Sequence, residues 1–221
     1  VLGAAGSGRS AVCAGVASWC NGVHLEAQRV LLDAVEAGHE LGERASALLA
    51  EGKVVPTALW AELIGAAIGL SGGGGPFVLE GWPSDVPALE ALEEALGCGV
   101  SVGVRLEAGS EALGSRLAER DGSAWDFFDE AERGADEASV AARQGAFVGS
   151  VGAVSGALAA SGRLRLVDAN GEIGATTEAA CALLAGVGTA GWAPAKLSPT
   201  VVVVLGAAGS GRSAVCAGVA S

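Results

Sequence analysis

Short apolar runs alternate along the chain with segments in which apolar residues recur at helical spacing. The strand-length runs are Phe77–Leu79, Val100–Leu106, Arg163–Val167 and Val201–Leu205, and Val1–Leu2 has the character of a strand end. The predicted helices are Arg9–Ser18, Ala27–Ala37, Gly42–Glu51, Thr57–Leu70, Val86–Leu96, Ser110–Arg120, Ala131–Ala160 and Thr176–Leu184. Strands that alternate with helices predict an α/β chain, with a parallel sheet and helices on both of its faces.

A direct repeat sets the predicted domain organisation. The sequence VLGAAGSGRSAVCAGVAS occupies residues 1–18 and recurs unchanged at residues 204–221, an offset of 204 − 1 = 203 residues. That offset is the size of a whole domain. We therefore predict a domain over residues 1–187, a Pro- and Gly-marked linker over 188–200, and the first strand, loop and helix of a second copy over 201–221.

The two copies differ in what precedes them. Only Val1–Leu2 stand before the first glycine loop, whereas a full apolar run, Val201–Leu205, leads into the second. A buried central strand is typical of such a run. We take the start as a fragment boundary. Two alternatives stay open: the C-terminal strand fills the first copy's slot in the sheet, or the repeated tail is an artefact.

Charge excludes two classes of partner. The chain has 13 Lys and Arg against 25 Asp and Glu, a formal net charge of −12. Sequence-independent nucleic-acid binding and docking on an anionic membrane both need clustered basic residues. No apolar run approaches the ~20 residues of a membrane-spanning helix. We expect a cytoplasmic protein without nucleic-acid or membrane partners.

The cysteines and histidines predict no metal or triad chemistry. There are five cysteines and two histidines, with no CxxC and no Cys/His pair at metal-ligand spacing. Small buried thiols in a reducing compartment are the simpler interpretation.

The glycine loop is the clearest chemical motif. Gly3-Ala4-Ala5-Gly6-Ser7-Gly8-Arg9-Ser10 matches GxxxxGK[ST] except that Arg9 replaces the lysine. Backbone amides of such a loop and of the helix behind it wrap phosphates. The predicted nucleotide-binding residues are therefore Gly3, Gly6, Ser7, Gly8, Arg9 and Ser10. Arginine is larger and planar, so phosphate binding can survive the change more readily than transfer chemistry. A ligand-free strand-to-helix turn is the alternative.

Four motifs together resemble the adenylate kinase family, in family order over nearly all of residues 1–187. They are the glycine loop, an arm with His24-Leu25, Gly38–Gly42 and Glu51–Pro56, the stretch Phe77–Pro83 in place of the family's strand ending in Asp-Gly-Phe-Pro, and the arginines that follow. The resemblance implies a three-layer P-loop NTPase fold that uses ATP or ADP with Mg²⁺. It also implies roles facing the phosphates for Arg116, Arg120, Arg133 and Arg143, and a water-mediated Mg²⁺ contact for Glu80.

Several family residues are replaced here. The Thr-Gly-Asp and the phosphate-clamping Arg of the family's arm fall at Ala27, Gln28, Arg29 and Leu32. A second clamping Arg falls at Ser84, and the base-reading Gln at Ala88. Losing the loop lysine and two clamps removes both positioning and charge stabilisation of phosphoryl transfer. Surface ion pairs explain the retained arginines as an alternative, and a turn contact explains Glu80.

Three functions follow as hypotheses. The first is a catalytically degenerate, structural or interaction module, packed against other domains of a tandem chain and against assembly partners. Its setting would be that of the multi-domain adenylate-kinase-like proteins of ciliary or flagellar axonemes, with no required cofactor. The second is an active nucleoside monophosphate kinase that transfers phosphate from ATP. The third is a sensor that binds ATP or ADP without transfer.

Overall fold

A computed structural model describes residue 2 and residues 7–72, 75–118, 151–185 and 200–204. Its strands are β1 (Val23–Glu26), β2 (Pro76–Glu80), β3 (Val102–Glu107), β4 (Leu164–Asp168) and β5 (Thr200–Val204). Its helices are α1 (Arg9–Trp19), α2 (Ala27–Glu36), α3 (Glu40–Ala50), α4 (Thr57–Leu70), α5 (Val86–Leu96), α6 (Ser110–Ala118), α7 (described over 151–160) and α8 (Ile173–Ala185). None of the described helices is long and apolar enough to cross a membrane.

The five strands form one parallel sheet in the order β1-β2-β5-β3-β4. Parallel neighbours with helical crossovers agree with the predicted α/β class. Side chains of β2 alternate between two buried clusters. Val78 packs with residues of α1 and α8, whereas Phe77 and Leu79 pack with residues of α4 and α5. The sheet is therefore apolar on both faces, as the continuous run Phe77–Leu79 predicts.

Strand β5 occupies the centre of the sheet. It pairs with β2 from Pro76↔Thr200 to Glu80↔Val204, and its Val202 and Val203 pair with Val102 and Gly103 of β3. Leu2 forms an isolated parallel bridge with Arg105, two residues further along β3. The C-terminal strand thus fills the slot ahead of the glycine loop, one of the two arrangements left open by the repeat.

The predicted elements differ from the structure mainly at their ends. Helix α3 begins at Glu40, two residues earlier than predicted, and His39 caps it. Helix α8 begins at Ile173 instead of Thr176. The four-residue strand β1 was not predicted, because a segment so short carries no clear periodicity. The predicted helix Ala131–Ala160 is confirmed over 151–160. The rest of it and the predicted linker up to residue 199 lie outside the described residues.

Helices α2, α3 and α4 share a small core of their own, formed by Leu31, Ala45, Val55, Leu59 and Leu63. Helices α2 and α3 lie very near each other at Gly42, where an added Cβ would lie 2.6 Å from the backbone nitrogen of Val35. Backbone atoms cannot rotate away as a side-chain tip can. The glycine therefore sets how near the two helices approach.

Removing β5 should unfold the domain. Net backbone hydrogen bonds contribute about 0.5–1.5 kcal/mol each, and small domains are stable by only about 5–15 kcal/mol. We expect a chain ending at Pro199 to lose its cooperative thermal transition in circular dichroism, whereas a chain ending at Val204 keeps it. Equal melting temperatures for the two chains would contradict a structural role for β5.

Replacing Gly42 by alanine should destabilise the α2–α3 contact. We expect Gly42→Ala to lower the unfolding free energy by roughly 1–3 kcal/mol, as overpacking typically does. The matched control is Gly65→Ala in α4, where an added Cβ meets nothing within 4 Å. There the better helix propensity of alanine should raise stability by roughly 0.5–1 kcal/mol. Urea denaturation of both variants measures whether the unfolding free energy changes in opposite directions.

Candidate functional site

The candidate site lies where α1 begins, beside the carboxyl end of β2. Gly8 caps α1 with φ 83, a left-handed conformation that glycine adopts without strain. The first-turn amides of a helix have no partner within the helix, and they carry its positive dipole end. Parallel α/β sheets place ligands at this edge. Gly3 and Gly6 of the predicted loop lie outside the described residues.

Arg9 is the largest of the fully buried side chains among the described residues, at 2 % exposure. Its Nε and Nη1 atoms, and the hydroxyl of the equally buried Ser7, have no hydrogen-bond partner within the described part of the chain. Burying a guanidinium without partners is costly, so these groups are suited to an anionic ligand. Ser7 and Arg9, which flank the cap Gly8, therefore both carry buried polar atoms at the start of α1.

Glu80 ends β2 and is 4 % exposed. Ser10 Oγ donates a hydrogen bond to Glu80 Oε1 at 2.6 Å, and His24 Nε2 lies 2.9 Å from Oε2. The strand period brings His24 and Glu80 to one face, since His24 pairs with Val78, two residues before Glu80. Sequence reasoning missed His24 because β1 itself was not predicted. The alternative of a simple turn contact for Glu80 is replaced by this link between α1, β1 and β2.

The pKa of Glu80 reflects opposing influences. Burial alone raises the pKa of the carboxyl, but hydrogen bonding from His24, the Arg9 charge and the Ser10 hydrogen bond together lower it below its ordinary value of 4.5. The carboxylate is therefore ionised at neutral pH despite its burial. Close by, burial and the negative Glu80 raise the pKa of the Cys13 thiol well above its usual range.

A cleft of about 940 Å³ opens between α6 and the β4–α8 connection. Its lining residues include Gly109, Glu111, Arg116, Gly171 and Ile173. Arg116 Nη2 donates a hydrogen bond to the carbonyl of Gly171 across the cleft. The cleft adjoins the loop, because an added Cβ on Gly8 would lie 3.4 Å from Cγ1 of Ile173.

The roles predicted for the arginines remain predictions. Arg116 lies on the cleft wall. Arg120, Arg133 and Arg143 lie outside the described residues. On the arm, Arg29 is half-exposed and pairs with Asp33 at 2.5 Å and with Glu36 at 3.4 Å, all on α2.

The chain is similar in sequence to nucleoside monophosphate kinases. A probable UMP-CMP kinase 1 of Arabidopsis thaliana is 32 % identical over 83 residues, covering 38 % of this chain and 40 % of that protein. An adenylate kinase of Xanthomonas campestris pv. campestris (strain B100) is 29 % identical over 123 residues, covering 54 % of this chain and 66 % of that enzyme. An adenylate kinase of Methanothrix thermoacetophila is 29 % identical over 96 residues, covering 43 % and 45 %.

No protein-family profile matches the chain. The chain spans between 40 % and 66 % of the length of these three relatives. Similarity at this level supports a relationship to the adenylate kinase family, as the motifs of the sequence indicate.

Stability should depend on the charge of Glu80. Because its folded pKa is lowered, ionised Glu80 stabilises the fold above the unfolded pKa, and this contribution disappears as pH falls through the folded pKa. We expect Glu80→Gln to be destabilising at pH 7, and the difference from the unmodified chain to shrink steadily below pH ~4.5.

Urea unfolding at a series of pH values, with a chelator present, measures this difference. Glu62→Gln is the control, since Glu62 forms an exposed ion pair with Arg44. A difference for Glu80→Gln that does not change with pH would show that the carboxylate charge is not the stabilising feature.

Proposed function

We propose that the chain is a nucleotide-binding domain of the nucleoside-monophosphate-kinase type, with the three-layer P-loop architecture. In this proposal the domain holds ATP or ADP with Mg²⁺ and has lost most of its capacity for phosphoryl transfer. One observation carries the proposal. The buried Ser10–Glu80 hydrogen bond of 2.6 Å lies beside Arg9, whose Nε and Nη1 atoms lack partners among the described residues.

The polyphosphate would be held at the start of α1. The first-turn amides supply hydrogen-bond donors and a positive dipole. The buried Arg9 guanidinium and Ser7 hydroxyl add donors that nothing in the described chain satisfies. A polyanion satisfies all of them at once, and charge-assisted hydrogen bonds of this kind are the strong ones.

The residues at this point also fit Mg²⁺. This cation is hard and prefers oxygen ligands, keeping several of its waters. Ser10 offers a hydroxyl oxygen and Glu80 an ionised carboxylate. In bound form the metal neutralises phosphate charge. Arg9 and Ser10 would orient the phosphates from the loop side, while Glu80 holds a water of the metal.

The nucleoside would occupy the neighbouring cleft. Its lining combines small residues, which admit a flat base, with the guanidinium of Arg116, which can stack on one. The contact between Gly8 and Ile173 makes the cleft continuous with the phosphate-binding end. The size of about 940 Å³ is sufficient for a nucleotide-sized ligand.

Among the described residues, four acceptor-side positions lack the charges that transfer needs. Ala27 lies next to Gly81, since an added Cβ on Gly81 would be 3.8 Å from that of Ala27. Ala27 and Ala88 are buried, and Ser84 is exposed. None of these four positions is cationic, so a monophosphate would meet no clamp there. Positioning and charge stabilisation supply most phosphoryl-transfer catalysis, hence the expected loss of turnover.

A role as a structural module is the finer part of this proposal. The unchanged 18-residue repeat favours a tandem chain in which such domains pack against one another and against assembly partners. Ciliary or flagellar axonemes are the proposed setting. Active transfer from ATP to a monophosphate is the competing function, and the names of the similar proteins favour it.

Titration with Mg²⁺-ATP, followed by Trp fluorescence and calorimetry, tests the proposal. Arg9→Ala should weaken binding about 10- to 100-fold, since hydrogen bonds to charged groups contribute about 1.5–3 kcal/mol. Arg44→Ala, which breaks an exposed ion pair between α3 and α4, should leave binding unchanged. Arg9→Lys is a smaller change to the buried site and should still bind Mg²⁺-ATP. It keeps the test valid if the Arg9→Ala variant fails to fold.

Turnover is measured in parallel with ATP and AMP, CMP or UMP as acceptors. We expect none above the Arg9→Ala background. Turnover that disappears in Arg9→Ala would establish the competing kinase function instead. Absence of binding at millimolar ATP in both the unmodified chain and Arg9→Lys would overturn nucleotide binding altogether.

A further inference from the structure

The structure brings together three potential metal ligands that are far apart in sequence. A sulfur of Cys13, a ring nitrogen of His24 and a carboxylate oxygen of Glu80 all lie within 4.8 Å of one another. Cys13 and Glu80 are buried, and the His24 side chain is 22 % exposed. From these residues we propose a binding site for a zinc-class divalent cation, held by Cys13 Sγ, His24 Nε2 and Glu80.

Three different elements converge to make the site. Cys13 is one helical turn after Ser10 on α1, so both side chains face the end of β2. His24 stands on β1, paired with Val78, and Glu80 stands two residues further along β2 on the same face. His24 Nε2 lies 2.9 Å from Glu80 Oε2, and Cys13 Sγ lies within 4.8 Å of both ligand groups.

The donor set selects the kind of cation. A thiolate, an imidazole and a carboxylate together suit Zn²⁺ better than Mg²⁺ or Ca²⁺, which prefer oxygen alone. Zn²⁺ is commonly held by three protein ligands, with water in the fourth position. Ligand atoms in such a site stand ~3.5 Å apart, from the usual bond lengths. The ligand atoms of Cys13, His24 and Glu80 lie within 4.8 Å of one another, so a bound cation would draw the most widely separated of them closer.

Charge is compatible with this cation. Binding releases the thiol proton, and one thiolate with one carboxylate then balances the two positive charges of the metal. The Arg9 guanidinium lies close enough to act on Glu80, and it opposes a cation there. The exposed part of His24 gives access from solvent.

The inference does not rest on nucleotide binding. Ser10 contacts Oε1 of Glu80 and His24 contacts Oε2, so the proposed ligand His24 and the glycine loop's serine use different carboxylate oxygens. The site is therefore tested on the chain without nucleotide or Mg²⁺.

Competition with a chromophoric chelator measures Zn²⁺ binding to the reduced, full-length chain. We expect one Zn²⁺ per chain, with at least a tenfold loss of affinity in both Cys13→Ala and His24→Asn, since even residues behind a ligand change affinity 10- to 100-fold. Matched controls are Cys98→Ala, Cys216→Ala and His39→Asn. Asparagine keeps the capping contact that His39 makes with the amide of Leu41.

Cobalt gives a readout that needs no variant to fold. Co²⁺ added to the unmodified chain should produce a thiolate-to-cobalt charge-transfer band that Zn²⁺ abolishes. Absence of that band, absence of Zn²⁺ binding, or equal affinity in Cys13→Ala and Cys98→Ala would each overturn the site. Loss of binding in the Cys216→Ala control alone would place the metal in the repeated tail and also overturn it.

Discussion

The parallel pairing of β5 with both β2 and β3 is the constraint on which the other features depend. Strands β1 and β2 carry His24 and Glu80, whereas β3 and β4 lead to the cleft at Arg116. Among the described strands, only β5 touches both pairs. Leu2 continues the same slot and bridges to Arg105. The start of α1 and the cleft are adjacent because this strand holds the two halves of the sheet together.

Around that edge, buried polar groups are grouped instead of dispersed. Glu80 accepts a hydrogen bond from Ser10 and contacts His24, and the charge of Arg9 helps to lower its pKa. Buried charges are stable when paired and hydrogen-bonded, and costly otherwise. Glu80 meets that requirement within the chain, whereas Arg9 retains unsatisfied nitrogen atoms among the described residues. The difference distinguishes a group that organises the fold from one suited to a ligand.

The sequence predicted the elements with strong periodicity, whereas Gly3–Gly6 of the predicted glycine loop lie outside the described residues. The run Phe77–Leu79 and the helix Thr57–Leu70 were placed correctly because apolar spacing alone determines them. The cluster of Cys13, His24 and Glu80 could not be predicted from the sequence. His24 follows Cys13 by 11 positions and Glu80 follows His24 by 56, and no sequence motif links ligands at such intervals on three separate elements. Strand β1 brings His24 there, and its four residues fall below the length at which alternation is diagnostic.

The register of β5 has a topological consequence. Val203 lies opposite Gly103, so in the same register residue 205 would be the one opposite Arg105. The residue that stands opposite Arg105 is Leu2. The difference, 205 − 2 = 203, equals the offset of the sequence repeat. Strand β5 and Leu2 therefore lie along the same edge of β3, in the register that the repeat sets. In a chain of such units, the boundary between two repeats in sequence falls in the middle of a sheet.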